Sequence, residues 1–226
     1  MKRGKLIVIE GTDGSGKATQ SKMLVERFCL EDIPCRHISF PRYDTPPGNL
    51  IKRYLGKGSY EQEFGSSDKV HPKIASTWYA FDRFFAKPEM KHILDSRINL
   101  VVDRYVESNM AHQGGKIKSR INREKFFKWV DELEYGNFQI PRPDVVLFLY
   151  VPTNVAVEMR NRRESKTGEV ADGHESNLCH LSRAEQVYLE LAEMYNWLRI
   201  DCAPNNQMRS IEDIHEEVYS KVLGRL

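Results

Sequence analysis

The sequence predicts an α/β fold: a central parallel sheet of five strands with helices on both faces. Three observations lead there. Apolar runs of strand length recur along the chain, stretches with apolar residues at three- and four-residue steps lie between them, and the first run passes directly into a glycine-rich loop. Strands that are apolar almost throughout, alternating with helices, belong to a parallel sheet covered on both sides.

The elements follow in order. LIVIE (residues 6–10) is the first strand, and GTDGSGKATQ (residues 11–20) is the loop that opens the helix QSKMLVERFCLE. RHISF (36–40) is the second strand, PKIASTWYAFDRFFAKPEMKHILDS (72–96) a long aromatic-rich helix, and INLVVD (98–103) the third strand. VVLFLYV (145–151) and the weaker WLRID (197–201) complete the sheet, with SRAEQVYLELAEMYN and SIEDIHEEVYSKVL as the later helices. RYDTPPGN (42–49), GKGSYEQEFGSS (56–67), YGNFQIPRPD (135–144) and RRESKTGEVADGHESN (162–177) carry turn residues and are expected as loops, the last of them a lid.

With 226 residues the chain fits one domain, and 40% hydrophobic with 29% charged residues is the composition of a soluble globular protein. A formal net charge of +2 gives no broad electrostatic footprint for nucleic acid. No apolar run approaches the ~18 residues of a membrane span, so neither nucleic acid nor membrane is expected as a partner. Cys29, Cys35, Cys179 and Cys202 form no CxxC pair, and MKRGK leads straight into a strand without a signal-peptide core. These features point to reduced thiols and a cytoplasmic location.

The loop carries the chemistry. Gly11, Gly16 and Lys17 satisfy the GxxxxGK spacing in a strand-loop-helix context, where backbone N–H groups and a helix N-terminus face a phosphate chain. Gly11, Gly14 and Gly16 let the backbone approach an anion, and Lys17 reaches the β- and γ-phosphates. The whole segment Gly11, Thr12, Asp13, Gly14, Ser15, Gly16, Lys17, Ala18 and Thr19 is therefore expected to bind the phosphate chain of a nucleotide. Ala18 departs from the pattern, which has Ser or Thr there as a ligand of Mg²⁺. Because Mg²⁺ keeps several waters and is held largely by phosphates, the loss is expected to weaken the ion's binding without abolishing it.

Read on from the loop, the motifs resemble those of the thymidylate kinase family, in the same order over nearly the whole chain. GTDGSGKATQ resembles its phosphate loop, FPRY (40–43) its FP segment, HPKIASTWYAFDRF (71–84) its aromatic and arginine helix, VVDRYVESNMAHQG (101–114) its DRY stretch, and PRPDVVLFLYV (141–151) its PD strand. The resemblance implies a P-loop kinase fold, transfer of the ATP γ-phosphoryl group to dTMP, and a homodimer. Other nucleotide or deoxynucleoside kinases of the same fold, and a catalytically weakened nucleotide-binding homologue, are the alternatives.

It also implies residue roles. Arg104 holds the dTMP phosphate, unless it is only a structural partner of Asp103; Asp103 itself holds a water bound to Mg²⁺. Asp13 accepts from the sugar 3′-hydroxyl. Tyr79 stacks on thymine from a helix face that is otherwise core, and Arg83, one turn on, pairs with the base or the phosphate. Phe40 belongs to the same pocket, and Arg42 joins the phosphate set with Tyr43 competing for that place. Ser108 and Gln113 face the pyrimidine, whereas His112 stands where relatives often have an aromatic or is a surface histidine. Some members carry a basic residue inside the phosphate loop; here that position is Gly14, so the transition-state cation is assigned to the lid as Arg163 or Arg162, with Glu175 in support. Adenine is placed near DCAPNNQ (201–207).

Overall fold

The computed structural model describes residues 3–167 and 178–226; for Arg160 and residues 163–167 only the backbone is described. Five parallel strands form one sheet: β1 (Leu6–Gly11), β2 (Cys35–Ser39), β3 (Asn99–Asp103), β4 (Val145–Tyr150) and β5 (Leu198–Asp201), in the spatial order β2-β3-β1-β4-β5. Four of them differ from the sequence expectation by one residue at one end, and β2 is shifted by one residue at both ends. The phosphate loop thus leaves the central strand, flanked by β3 and β4.

Eight helices are described: α1 (Lys17–Leu30), α2 (Pro46–Leu55), α3 (Pro72–Asp95), α4 (Val106–Gly114), α5 (Arg120–Asp131), α6 (Thr153–Thr167), α7 (Leu178–Met194) and α8 (Ile211–Leu223). Successive side chains of a strand point to opposite faces. Ile7 and Ile9 accordingly pack with Leu24 of α1 and Val218 of α8, while Leu6 and Val8 pack with Met90 of α3, Met110 of α4 and Leu191 of α7. Burial on both faces explains why β1, β3 and β4 read as continuous apolar runs.

Three stretches expected as loops are partly helical, YGNFQIPRPD (135–144) through the end of a π-helical turn. RYDTPPGN contains the start of α2, whose first residue is Pro46; the Thr45 hydroxyl caps it by accepting from the Gly48 N–H at 3.3 Å. Proline suits the first helical turn because its missing N–H has no partner there in any case. RRESK likewise continues α6 to Thr167, since Arg, Glu and Lys are good helix formers and Glu158 pairs with Arg162 one turn on at 2.6 Å. Residues 120–131, given no element by the sequence, form α5, which runs on into a π-helical turn over Glu132–Asn137.

Candidate active site

The site forms at the carboxyl ends of β1 and β3, where open α/β sheets hold ligands. Gly14 and Gly16 have φ of 84° and 86°, in the left-handed region that glycine tolerates best. A Cβ on Gly14 would stand 2.6 Å from the Ala156 carbonyl oxygen, so this position has no room for a side chain, basic or otherwise. The Thr12 hydroxyl donates to the Val151 carbonyl at 3.2 Å and ties the loop to the end of β4. Lys17 is buried and donates to the Thr12 carbonyl at 2.7 Å. Burial, reinforced by Arg104 and opposed by Asp13, pushes its amine down to about 8. Ala18 and Thr19 lie exposed on the first turn of α1.

Arg104 follows β3 with a φ of 64°, unusual for a residue with a Cβ, and its N–H donates to the Ile9 carbonyl at 3.2 Å. That turn carries its guanidinium back over the sheet edge, where it ion-pairs with Asp13 from the phosphate loop. Burial alone would raise the Asp13 carboxyl; Arg104 and Lys17 outweigh it and hold the group well below the usual carboxylate range. Asp13, Arg104, Phe40, Tyr79, Arg83 and Gln113 all border one cavity of about 270 Å³ beside the loop.

Within that cavity the expected residues divide. The Gln113 amide is fully buried, and neither its nitrogen nor its oxygen has a hydrogen-bond partner among the described residues. It offers a donor and an acceptor side by side. Ser108 is engaged elsewhere: its hydroxyl donates to Glu10 Oε2 at 2.6 Å and lies 3.0 Å from the Tyr188 hydroxyl. Arg83 touches the cavity, yet its fork is held by Glu134, with Nε and Nη2 each 2.5 Å from a carboxylate oxygen. Arg42 turns away to Asp82, which accepts from its backbone N–H at 2.7 Å and its Nε at 3.4 Å, and Tyr43 borders the cavity instead. Of the two candidates at that segment, the structure therefore brings in the tyrosine. His112, 9% exposed, is not a surface residue.

Three residues beyond the expected set matter here. Glu10, buried at the end of β1, accepts from the Tyr105 N–H (2.7 Å) and the Ser108 N–H (3.1 Å), so a carboxylate caps the start of α4. Asn109 donates to the Ser76 carbonyl and to Glu134, each at 3.2 Å, and keeps a buried Oδ1 without a partner among the described residues. The signal for it was available, because Asn109 and Gln113 are one helical turn apart and share a face. Lys57, from the segment read as a loop, also borders the cavity, where it lies 4.7 Å from the centre of the Tyr43 ring.

Asp103 is 7% exposed; one carboxylate oxygen accepts from the Ser39 hydroxyl at 3.5 Å, and the other is buried without a partner among the described residues. No group of three or more His, Cys, Asp and Glu able to hold a metal occurs among the described residues. That donor set fits an ion held by one carboxylate, waters and phosphates, as Mg²⁺ is. In the expected lid, Arg162 is exposed and paired with Glu158. The Arg163 side chain and Glu175 lie outside the described residues.

The family model for thymidylate kinase matches residues 9–218. A thymidylate kinase of Plasmodium falciparum (isolate 3D7) is 30% identical over 221 residues, covering 98% of this chain and 90% of its own length. One of Homo sapiens is 31% identical over 221 residues, covering 96% and 89%. Among solved structures, the thymidylate kinase from Candida albicans matches with a TM-score of 0.73 at 21% identity, over 99% of this chain and 93% of that one, a likeness of fold. On a match that runs from the first strand into the last helix, this chain belongs to the thymidylate kinase family.

Proposed function

We propose that the chain transfers the γ-phosphoryl group of Mg·ATP to dTMP, giving dTDP and ADP. The observation that carries this reading is the convergence of Lys17, from the ATP loop, and Arg104, from the end of β3, around the single carboxylate of Asp13 at the mouth of one cavity. Two phosphorylated molecules meeting there place their charge between two cations from separate segments. The attacking phosphate oxygen is already an anion at neutral pH, so no general base is needed, and positioning with electrostatic stabilisation supplies the rate. Lys17 and the loop N–H groups hold the donor phosphates; Arg104 holds the acceptor phosphate; Phe40 and Tyr79 wall the base. Gln113 and Asn109 present buried amide groups that match the donor and acceptor edge of a pyrimidine. A coupled ADP-release assay across nucleoside monophosphates tests the reading: dTMP is expected to turn over fastest, and rapid turnover of CMP or thymidine with none of dTMP would overturn it.

Asp103 is the residue that would hold Mg²⁺, through a water, and the ion would supply neutralisation of the charge that develops on the transferring phosphoryl group. Restoring the missing hydroxyl with Ala18→Ser is expected to lower the Mg²⁺ concentration for half-maximal rate by several-fold, and Asp103→Asn to raise it about tenfold, by the scale of a charge-assisted hydrogen bond. A magnesium titration of the three proteins checks both, and coincident curves would remove Asp103 from this role.

Lys17 also gives the reaction a pH limit. Its amine loses its proton near pH 8 in the free protein, so kcat/KM for ATP is expected to fall as pH rises through about 8. Bound phosphates stabilise the ammonium, so kcat holds to higher pH. Separate pH profiles of the two quantities check this, and a kcat/KM that stays flat to pH 10 would contradict it.

The chain is proposed to be one domain with a lid near residues 160–177, Arg162 or Arg163 supplying the lid cation. No helix among the described residues is long and apolar enough to cross a membrane; the cytoplasm is proposed on the absence of any CxxC spacing. A homodimer is proposed through α3, where Ile74, Phe81, Phe84 and Phe85 are 52%, 45%, 40% and 56% exposed. Sedimentation as a monomer at micromolar concentration would remove that assignment.

A further inference from the structure

A line of polar groups leads away from Arg104 into the protein. One terminal guanidinium nitrogen, Nη2, is taken by Asp13; the second terminal nitrogen, Nη1, lies 3.4 Å from His112 Nε2 on α4. His112 Nδ1 lies 3.3 Å from Nε2 of His180, which sits in the first turn of α7, and the two rings stack at an interplanar angle of 19°. His180 Nδ1 lies 3.0 Å from an Asp68 carboxylate oxygen. Both histidines are buried, at 9% and 0% exposure.

The end groups dictate where the protons sit. A guanidinium only donates and a carboxylate only accepts. His112 Nε2 must therefore accept from Arg104, which puts the proton of a neutral ring on Nδ1. That proton is donated to His180 Nε2, so His180 carries its own on Nδ1, the nitrogen 3.0 Å from the Asp68 carboxylate, a contact close in distance but not aligned as a hydrogen bond. This arrangement suits the contacts of both rings named above, with both imidazoles neutral. Burial favours it, pushing the His112 imidazole down to about 3 against the pull of Asp13. The far end is anchored too. The Ser67 carbonyl beside Asp68 accepts from the Lys116 ammonium at 2.5 Å and from the Tyr54 hydroxyl at 3.0 Å.

We propose that Asp68, His180 and His112 form a directional polar relay that fixes the plane of the Arg104 guanidinium, through two hydrogen bonds and the close Asp68 carboxylate, making them positioning residues for the acceptor phosphate. This rests on the reading of Arg104 as the acceptor-phosphate ligand. With Nη1 aimed at His112 and Nη2 at Asp13, the guanidinium is held in its working orientation before substrate arrives. Preorganisation of that kind avoids the cost of ordering a long side chain on binding.

The test has a spectroscopic and a kinetic arm. Nitrogen-15 shifts of the imidazoles in the unmodified protein are expected to show His112 and His180 both neutral and protonated on Nδ1; a proton on His112 Nε2 overturns the relay. His180→Phe keeps a ring against His112 and removes the acceptor. It is expected to raise KM for dTMP about tenfold, the scale of one lost hydrogen bond to a charged group, with KM for ATP unchanged. His180→Gln restores an acceptor and a donor, and is expected to recover most of that loss. An unchanged KM in His180→Phe, or equal impairment of the two variants, overturns the proposal in favour of simple packing. If His180→Phe does not fold, the nitrogen shifts and the glutamine variant decide. Absence of any dTMP turnover in the unmodified protein would sink the functional reading separately, while the nitrogen shifts still judge the relay.

Discussion

Replacing Arg104, the proposed holder of the acceptor phosphate, with alanine is expected to lower kcat/KM for dTMP by about 10³. One preorganised donor aimed at a reacting anion is worth about 10² to 10³ in rate, and here a second penalty is added. Arg104 covers the Asp13 carboxylate, which is only 8% exposed. Without the guanidinium, the acceptor phosphate meets a bare negative charge in a site of low polarity, where repulsion is poorly screened. Adding Asp13→Ala to the alanine variant is therefore expected to recover about tenfold, a coupling that a double-mutant cycle reads directly. Arg104→Lys is expected to lose about 10², because a point charge cannot serve Asp13, His112 and a phosphate at once. Steady-state kinetics at saturating ATP decide the matter: an alanine variant within tenfold of the parent would show that the acceptor phosphate is held by another residue.

Glu134→Ala is expected to destabilise the protein by about 3–5 kcal/mol, the cost of stranding one member of a buried ion pair. Arg83 is 2% exposed and Glu134 fully buried. Burial opposes the charge on Arg83, and the adjoining carboxylate overrides it and holds the guanidinium strongly protonated. The substitution also removes an acceptor of the Asn109 amide. For a chain of this size Tm is expected to fall by roughly 6–20 °C, as calorimetry would record. Replacing both partners with apolar residues, Arg83→Met with Glu134→Leu, is expected to restore most of that stability. This double variant separates two roles for Arg83. If the guanidinium only holds α3 to the π-helical turn, dTMP turnover returns with the stability; if it also contacts substrate across the cavity it borders, turnover stays low.

Much of the site was legible because its parts are local. The phosphate loop, the DRY stretch and the FP segment are contiguous, and each sits at the end of a strand that the apolar pattern reveals. Gln113 and Tyr79 were placed on the cavity by the same reading. Arg42, Ser108 and Arg83 were read as substrate groups from their positions in motifs, and each has partners outside its own motif: Asp82, Glu10 with Tyr188, and Glu134. The Glu134 partnership was the least visible. It depends on a π-helical turn, Glu132–Asn137, whose second half falls in a stretch whose glycine and prolines read as a loop. The start of α2 was missed for a different reason: Thr45 and Pro46 signal a helix N-terminus as well as a turn, and the turn was chosen.

The sequence by itself determined the five strands, their parallel pairing, the anion-binding loop and the cations that converge beside it. Those features are written in periodicities of two and of three to four residues and in short spacings along the chain. The tertiary structure alone decided which charge meets which: Arg104 with Asp13, 91 positions apart, Arg83 with Glu134, 51 apart, and His112 with His180, 68 apart. The physical reason is that helical and strand propensities act between neighbours. The choice of an ionic or hydrogen-bonding partner depends on separation and solvent exclusion in space, which arise only when α4 packs on α7 and the strand ends are drawn together.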